Sequence, residues 1–382
     1  MICIDCRYIR ERPSGISVWL VELIARLPAL LPDERFLLLR HPKADRLSHA
    51  PNVREQVVRW ETNGPATMWL QPRLVDLSDV ALYYSPSNIL PAGLSMATVV
   101  TVCDVMWIKH AAWARTNWHW GRIETAFYRH GIRRSLRCAT RLCTISEASR
   151  REIASVDAAA AARTTVILQG VSPDFHPIRS ADDQAQADAA RERLLPGAKR
   201  YVLTVGQFAP YKNHERIVRA FAQAFPSDED LHLALVQRLG DGPKVLRPLA
   251  RALGVEHRVR FLHGVPYADL TRLFRGATCV CHTSLYEGFG NALVEGMASG
   301  VPVVASNRSS MPEVCLDAAI LVEPEDVAAI AGGLRSAVQD ESVRGTLRER
   351  GIARAAELTW DRYAEGYARV FAETLKARRD RG

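Results

Sequence analysis

Short runs of consecutive apolar residues recur along the whole chain, each separated from the next by a longer amphipathic or loop-like stretch. "MICIDC", "RFLLLR", "ALYYSPS", "ATVVTVCDV", "RLCTIS" and "TTVILQGV" occupy the first part, and "YVLTVGQF", "LHLALVQR", "VRFLHGV", "TCVCHTS", "VPVVAS" and "AAILVEP" the second. Runs of this length with few polar interruptions read as strands buried on both faces, as in parallel sheets covered by helices. Between the first two, "SGISVWLVELIARL" sets Ile16, Leu20, Leu23, Ile24 and Leu27 on one helical stripe, so strand, loop and helix follow in the βα order. The fold class this dictates is α/β.

The pattern breaks after Val171, where "SPDFHPIRSADDQAQADAARERLLPGAK" is polar, Ala- and Pro-rich and carries no strand signal. It reads as an interdomain linker with one exposed helix. Two similar parallel-sheet domains are expected, residues 1–176 and 177–359, with a terminal helix over 360–382 packing back on the first. A ligand belongs in a cleft at the carboxyl ends of both strand sets.

With 382 residues, 48% of them apolar, the chain can bury two ordinary cores, and no apolar run reaches the length of a membrane span. Eight cysteines follow no repeated spacing and the N-terminus lacks the apolar core of a signal peptide, so a cytoplasmic protein with reduced thiols is expected. Cys3 and Cys6 form a C-x-x-C, but on a strand they point to opposite faces, which favours core packing over metal or redox chemistry. Residues 1–176 carry 22 Lys and Arg against 16 Asp and Glu, whereas residues 177–382 carry 28 against 26. The basic excess of the first half favours an anionic partner, and without a recognition motif nucleic acid is not expected.

The stretch "LYEGFGNALVEGM" concentrates the chemistry. It leaves the carboxyl end of the "TCVCHTS" strand and enters a helix for which Asn291 is the expected N-cap. Glu287 then stands at the strand end beside Gly288 and Gly290, whose small size lets backbone N–H groups approach a ligand at a helix N-terminus that favours anions. Glu295, one turn into the helix, can accept hydrogen bonds from a diol such as ribose. A phosphate together with hydroxyls is what such a site would hold.

On these residues the chain resembles the retaining glycosyltransferases of family 4, with the two-domain GT-B fold. "EGFG" and the Glu-x7-Glu spacing are the most specific elements. "DCRYIRERPSGISVWLVEL", "VTVCDVMWIKHAAW", "CTISEASRREI", "VILQGVSPDF", "VGQFAPYKNHERIVRAF" and "GVPVVASNRSSMPEV" support them in the family's order. The resemblance implies sugar transfer from a nucleotide-sugar to an acceptor hydroxyl with retained anomeric configuration, and neither metal nor cofactor. By the same resemblance, Glu287 lies near the transferred sugar, Gly288, Phe289, Gly290 and Asn291 contact sugar and phosphate through their backbone, and Glu295 binds the ribose. Lys212 neutralises the diphosphate, Gly15 lets the first domain's loop close on it, and Gln207 occupies a donor-site position. "SNRSSMPEV" resembles the version common among mannosyltransferases, which makes GDP-mannose the first donor to consider and a UDP- or dTDP-sugar the next.

The chain departs from the family pattern at Gln207 and Tyr211, where arginines are frequent, and at Cys103-Asp104, where many members carry His-Asp. Lys212 is the one cation left at those positions. Asp104 is read either as a direct participant or as a helix cap, and His282 as a satisfied near-core histidine. Two other functions stay open at this level: a non-catalytic nucleotide-sugar-binding subunit, and a nucleotide-sugar epimerase on the same fold. The segment 113–137 mixes Trp113, Trp118, Trp120 and Phe127 with Arg115, Arg122, Arg129, Arg133, Arg134 and Arg137. That composition suits peripheral contact with an anionic membrane at the inner face of the cytoplasmic membrane, where a lipid-linked oligosaccharide would be the acceptor; an ordinary helix with a solvated basic face suits it equally.

Overall fold

A computed structural model describes residues 1–10, 15–114, 121–237 and 240–380. Arg115, Trp118 and Trp120 of the aromatic-basic segment lie outside the described residues. The chain divides into two compact units, Met1–Gly170 with Trp360–Gly382, and Val171–Thr359.

The first unit is built on a parallel sheet of β1 (Ile2–Asp5), β2 (Phe36–Arg40), β3 (Val53–Val57), β4 (Leu82–Ser85), β5 (Ala97–Thr101), β6 (Arg141–Thr144) and β7 (Thr164–Val166), in the order β3-β2-β1-β4-β5-β6-β7. β1, β4 and β5 are buried at every residue because helices cover both faces. Alternate residues of β1 accordingly feed different cores: Ile2, Ile4 and Cys6 join Trp19, Leu23 and Tyr367 on one face, and Cys3 joins Leu37, Ile132 and Leu136 on the other. Burial pushes both thiols well above the ordinary range. β3, with the sequence VREQV, was not among the expected strands; it is a half-exposed edge whose polar residues hide the strand pattern.

Helix Trp360–Arg379 belongs to this unit and packs on helix Gly15–Leu30, with the Trp19 and Tyr363 rings edge-on at 6.1 Å. Its Tyr367 hydroxyl lies 2.7 Å from Thr101 Oγ1, which in turn is 2.8 Å from the Tyr84 hydroxyl, so three buried hydroxyls satisfy one another. Beyond the end of β1, the fully buried Arg7 guanidinium grips Asp5 (2.6 and 2.8 Å) and also donates to Thr67, Gln71 and the Trp60 carbonyl.

The second unit carries β8 (Arg200–Val205), β9 (Leu231–Gln237), β10 (Val259–His263), β11 (Cys279–His282), β12 (Val303–Ser306) and β13 (Ile320–Val322), parallel and ordered β10-β9-β8-β11-β12-β13. The order reverses between β8 and β11, which opens a crevice at their carboxyl ends. Residues 172–199, expected to form a linker, are part of this unit. The Val171 N–H donates to the Leu358 carbonyl at 3.0 Å, and Phe175 packs edge-on against Phe274 at 5.3 Å, which moves the boundary from 176 to 170. Helix Ala181–Leu194, capped by Ser180, buries Ala187 and Ala190 beside helix Tyr267–Gly276, and Asp183 bonds Arg275 at 2.8 Å. Two small buried residues per fourteen give almost no apolar stripe, so the sequence looks exposed. Among the described residues no helix is long and apolar enough to cross a membrane.

Candidate active site

The site grows from the two loops at the β8–β11 switch. After β8 the chain passes Gly206 and Gln207, makes a tight turn over Pro210–Lys212, and enters helix His214–Ala224 through Asn213 in the left-handed region, φ 62°. Asparagine tolerates that conformation better than most residues. Its buried side-chain amide donates to the Thr283 carbonyl at 2.9 Å and the Pro324 carbonyl at 2.7 Å. The Leu285 N–H closes the junction on the Tyr211 carbonyl at 2.7 Å. These bonds fix the Lys212 backbone opposite the loop that follows β11.

That loop is held equally firmly. The Glu287 N–H donates to Ser309 Oγ at 3.2 Å, while Ser309 Oγ–H donates to the Glu287 carbonyl at 2.6 Å. Ser310 Oγ lies 3.0 Å from the same carbonyl and 3.1 Å from that of Phe289. Gly290 then takes φ 95°, where an added Cβ would come within 2.9 Å of Leu293 Cδ1. Helix Asn291–Ala298 therefore begins after a glycine cap rather than with Asn291 as N-cap, and no side chain caps its first N–H groups. The left-handed turn demands glycine there; the Leu293 N–H donates to the Gly290 carbonyl at 2.9 Å, and the N–H groups of Asn291 and Ala292 before it stay available to an anion.

Glu287 is the centre of the arrangement. Its Oε1 accepts from Lys212 Nζ at 2.6 Å, Ser284 Oγ at 2.7 Å and His282 Nε2 at 2.8 Å. Oε2 accepts no hydrogen bond from the described residues. Burial works against the carboxylate, but Lys212 and His282 outweigh it and hold Glu287 well below the usual range. Burial likewise opposes the Lys212 charge, and Glu287 outweighs it, so the ammonium persists. His214, buried with Nδ1 unpartnered and facing Phe208 at 6.0 Å, is pulled down to about 3 by burial and by Lys212 and His282. It therefore stays neutral.

Glu295 sits half-buried on helix Asn291–Ala298 with no hydrogen bond or ion pair from its carboxylate among the described residues, and burial raises it to about 7. Gln207 is exposed and donates to the Tyr211 hydroxyl at 2.9 Å, while Lys212 Nζ stands 5.4 Å from the Tyr211 ring. Phe289 is buried, and Gly288 is half-buried.

Lys212, Glu287, Gly288, Phe289 and Gly290 thus come from adjacent loops of the second unit, and Asn291 and Glu295 from the helix that follows. Asp104 and Gly15 stand on the first unit. Asp104 Oδ1 accepts from the Met106 N–H at 2.9 Å, one residue ahead of Val105, the N-cap residue of helix Met106–Lys109. Cys103 beside it is pushed up to about 12 by burial, with Asp104 adding to the rise, and its carbonyl accepts from Ser149 Oγ at 2.7 Å. Gly15 opens helix Gly15–Leu30, with open space where a Cβ would be. Sequence reasoning missed His282, Ser284, Ser309, Ser310 and Asn213 as parts of the site. His282 is buried, as expected, but its partner is the Glu287 carboxylate rather than core polar groups.

Residues 186–356 match the family of glycosyl transferases group 1. The O-antigen chain mannosyltransferase B of Escherichia coli is 30% identical over 282 residues, 73% of this chain and 71% of that protein. A D-inositol 3-phosphate glycosyltransferase of Salinispora arenicola (strain CNS-205) is 33% identical over 226 residues, 56% of this chain and half (50%) of that protein. Among solved structures, WaaG, a glycosyltransferase involved in lipopolysaccharide biosynthesis, superposes with a TM-score of 0.73 over 97% of this chain and 99% of its own, at 17% identity. HepE of Anabaena in complex with UDP-glucose gives 0.71 over 98% and 99% at 21% identity. Its two parallel sheets have the GT-B fold of these structures, and the chain belongs to the group 1 glycosyltransferases.

Proposed function

We propose that the protein is a retaining glycosyltransferase that moves a sugar, first of all mannose from GDP-mannose, onto a hydroxyl of a growing surface glycan or lipid-linked acceptor. The observation that carries this reading is the Lys212–Glu287 pair at the β8–β11 switch, beside a helix start left open by Gly290. In this reading Lys212 and the open N–H groups receive the diphosphate, and Glu295 receives the ribose hydroxyls. The bond from the anomeric carbon to the phosphate oxygen breaks, the acceptor oxygen takes its place on the same face, and the acceptor proton leaves on the phosphate. Charge gathering on the leaving group meets fixed donors, so the reaction does not call for a metal.

Glu287 is ionised and cannot donate a proton. With Oε1 occupied by three donors, Oε2 is the oxygen left to accept from a sugar hydroxyl or to face positive charge at the anomeric carbon. His282 and Ser284 act through Glu287 as positioning residues. Mannose as the donor sugar is supported by the likeness to the E. coli mannosyltransferase, and the inositol phosphate relatives motivate a phosphorylated acceptor as the alternative.

The test is incubation with GDP-mannose, UDP-glucose and dTDP-glucose without acceptor, following release of the nucleoside diphosphate. Slow release from one donor, abolished by Glu287→Ala, is expected. Tight donor binding without release, with or without lipid-linked acceptors, would favour the non-catalytic subunit.

A further inference from the structure

The second unit carries a cavity of about 490 Å³ that the transferase reading leaves unused. Lys199 and Arg200 at the start of β8, Thr278 just before β11 and Pro302 just before β12 line it. It therefore lies at the amino ends of the strands whose carboxyl ends lead to Lys212 and Glu287. Helix Asn291–Ala298 runs between the two places: it opens after Gly290 at the donor site, and Ser299 and Gly300 beyond its last turn line the cavity, roughly 12 Å away at about 1.5 Å per residue.

Six cations line this cavity, and three of them are committed to the fold. Lys199 pairs with Asp230, Arg200 with Asp228, and the buried Arg275 with Asp183 and His176. The other three keep donors to spare. Arg191 bonds Asp188 through Nη1 at 2.6 Å, but Nη2 reaches only Glu192 at 3.6 Å and makes no hydrogen bond among the described residues. Arg344 and Arg348 stand one turn apart on helix Glu341–Glu357, where like charges repel. Arg350 and Arg354 of the same helix pair with Asp317 and Glu357, whereas Arg344 and Arg348 are exposed and have no ion pair among the described residues. Gly345 also lines the cavity, with nothing within 4 Å of the place a Cβ would take. Glycine inside a helix costs stability relative to alanine, and here it leaves open space beside the two arginines.

Arginines converging on one cavity suit a phosphate, whose oxygens match the planar guanidinium fork. The volume is that of a small-molecule pocket and far exceeds a single phosphate ion. Acceptors are present as well: the Gln184 amide donates to Asp188 at 2.9 Å, which leaves its carbonyl oxygen unspent, and the exposed Glu341 carboxylate has no ion pair among the described residues. Acceptors of this kind take hydroxyl groups.

We propose that this cavity is a second ligand site, for a phosphorylated sugar, in which Arg191, Arg344 and Arg348 hold the phosphate and Gln184 and Glu341 accept from sugar hydroxyls. None of these residues belongs to the Lys212–Glu287 site, so the second site stands or falls independently of the transferase reading.

The full-length protein is titrated calorimetrically with mannose 6-phosphate, inorganic phosphate and mannose, as wild type, as Lys212→Ala, as Arg344→Gln with Arg348→Gln, and as Gly345→Gln. Mannose 6-phosphate is expected to bind wild type and Lys212→Ala alike, and the double arginine variant about tenfold more weakly or worse. Gly345→Gln, which puts a side chain into the open space, should weaken it by at least as much. Inorganic phosphate should bind wild type roughly tenfold more weakly than the sugar phosphate, and mannose not at all. Melting temperatures should hold, since both arginines are exposed and glutamine suits a helix better than glycine. Wild type that does not bind mannose 6-phosphate would overturn the proposal, and so would binding that neither the arginine nor the Gly345 variant weakens. Affinity lost in Lys212→Ala but kept in the arginine variant would place the ligand in the donor site instead, leaving the transferase reading intact. Inorganic phosphate bound as tightly as the sugar phosphate would reduce the cavity to an anion site and remove the sugar from it.

Discussion

At the scale of single residues, one carboxylate oxygen organises the site. Because Lys212, Ser284 and His282 all bind Oε1 of Glu287, a change that keeps the shape but removes the charge should be felt in turnover first. Glu287→Gln is expected to lower kcat by about a hundredfold to a thousandfold with donor KM changed by only a few-fold, read from steady-state kinetics. His282→Leu should lower kcat by roughly tenfold at nearly constant KM, His282→Asn should recover much of it, and neither should matter once Glu287 is alanine. Additive losses in the double variant would mean that His282 acts on something else. Glu295 makes a separate prediction. Burial holds it up to about 7, above its unfolded value, so the folded state binds the extra proton and stability falls as pH rises through that interval. Glu295→Gln should therefore raise the melting temperature relative to wild type at pH about 8 and leave it little changed at about 5, while weakening donor binding. A strand end and glycines mark Glu287 in the sequence, its place one turn into the following helix marks Glu295, and Lys212 came with the family resemblance. Asn213, Ser309 and Ser310 escaped notice, since the hydrogen bonds that tie them to the site reach across 21 to 111 residues of chain.

At the scale of elements, the fold follows from what each segment can bury. Continuous runs such as "FLLLR", "TVVT" and "CVCH" have no solvent face, and every one became a strand of a parallel sheet. β3 escaped the same reading because it is an edge strand with polar residues, whereas helix Ala181–Leu194 was expected but as an exposed one, since its buried residues are alanines. The entry into helix Asn291–Ala298 depends on Gly290 at φ 95° with Leu293 already in contact. Gly290→Ala should cost about 1–3 kcal/mol in denaturant unfolding and displace the anion-binding N–H groups, so donor affinity should fall too. A variant as stable and as tight as wild type would show that the turn needs no glycine. Arg7 ties the end of β1 to residues 60–71, and Arg7→Met leaves Asp5 buried without its cation. A loss of about 3–5 kcal/mol is expected, enough to be visible as a large fall in melting temperature.

At the scale of the whole molecule, each unit closes its own core, and the first does so only by recruiting the chain's last long helix. Tyr363, Tyr367 and Phe371 complete the core around Trp19 and Tyr84, so truncation after Thr359 should unfold the first unit while residues 171–359 keep a cooperative melt. Loss of both transitions together would contradict two separate cores. The repeat of two strand-and-helix units was legible in the sequence, and so was the terminal helix; the polar stretch after Val171 misled because few of its residues are large and apolar. The proposed function rests on Glu287 at the β8–β11 switch. The most direct test is proton NMR of GDP-mannose turnover with a surface-glycan or lipid-linked acceptor, comparing wild type with Glu287→Gln. An α-linked product from the α-linked donor, with GDP released in step and both lost in the variant, is the predicted result. A β-linked product, or turnover unchanged by the substitution, would contradict the account.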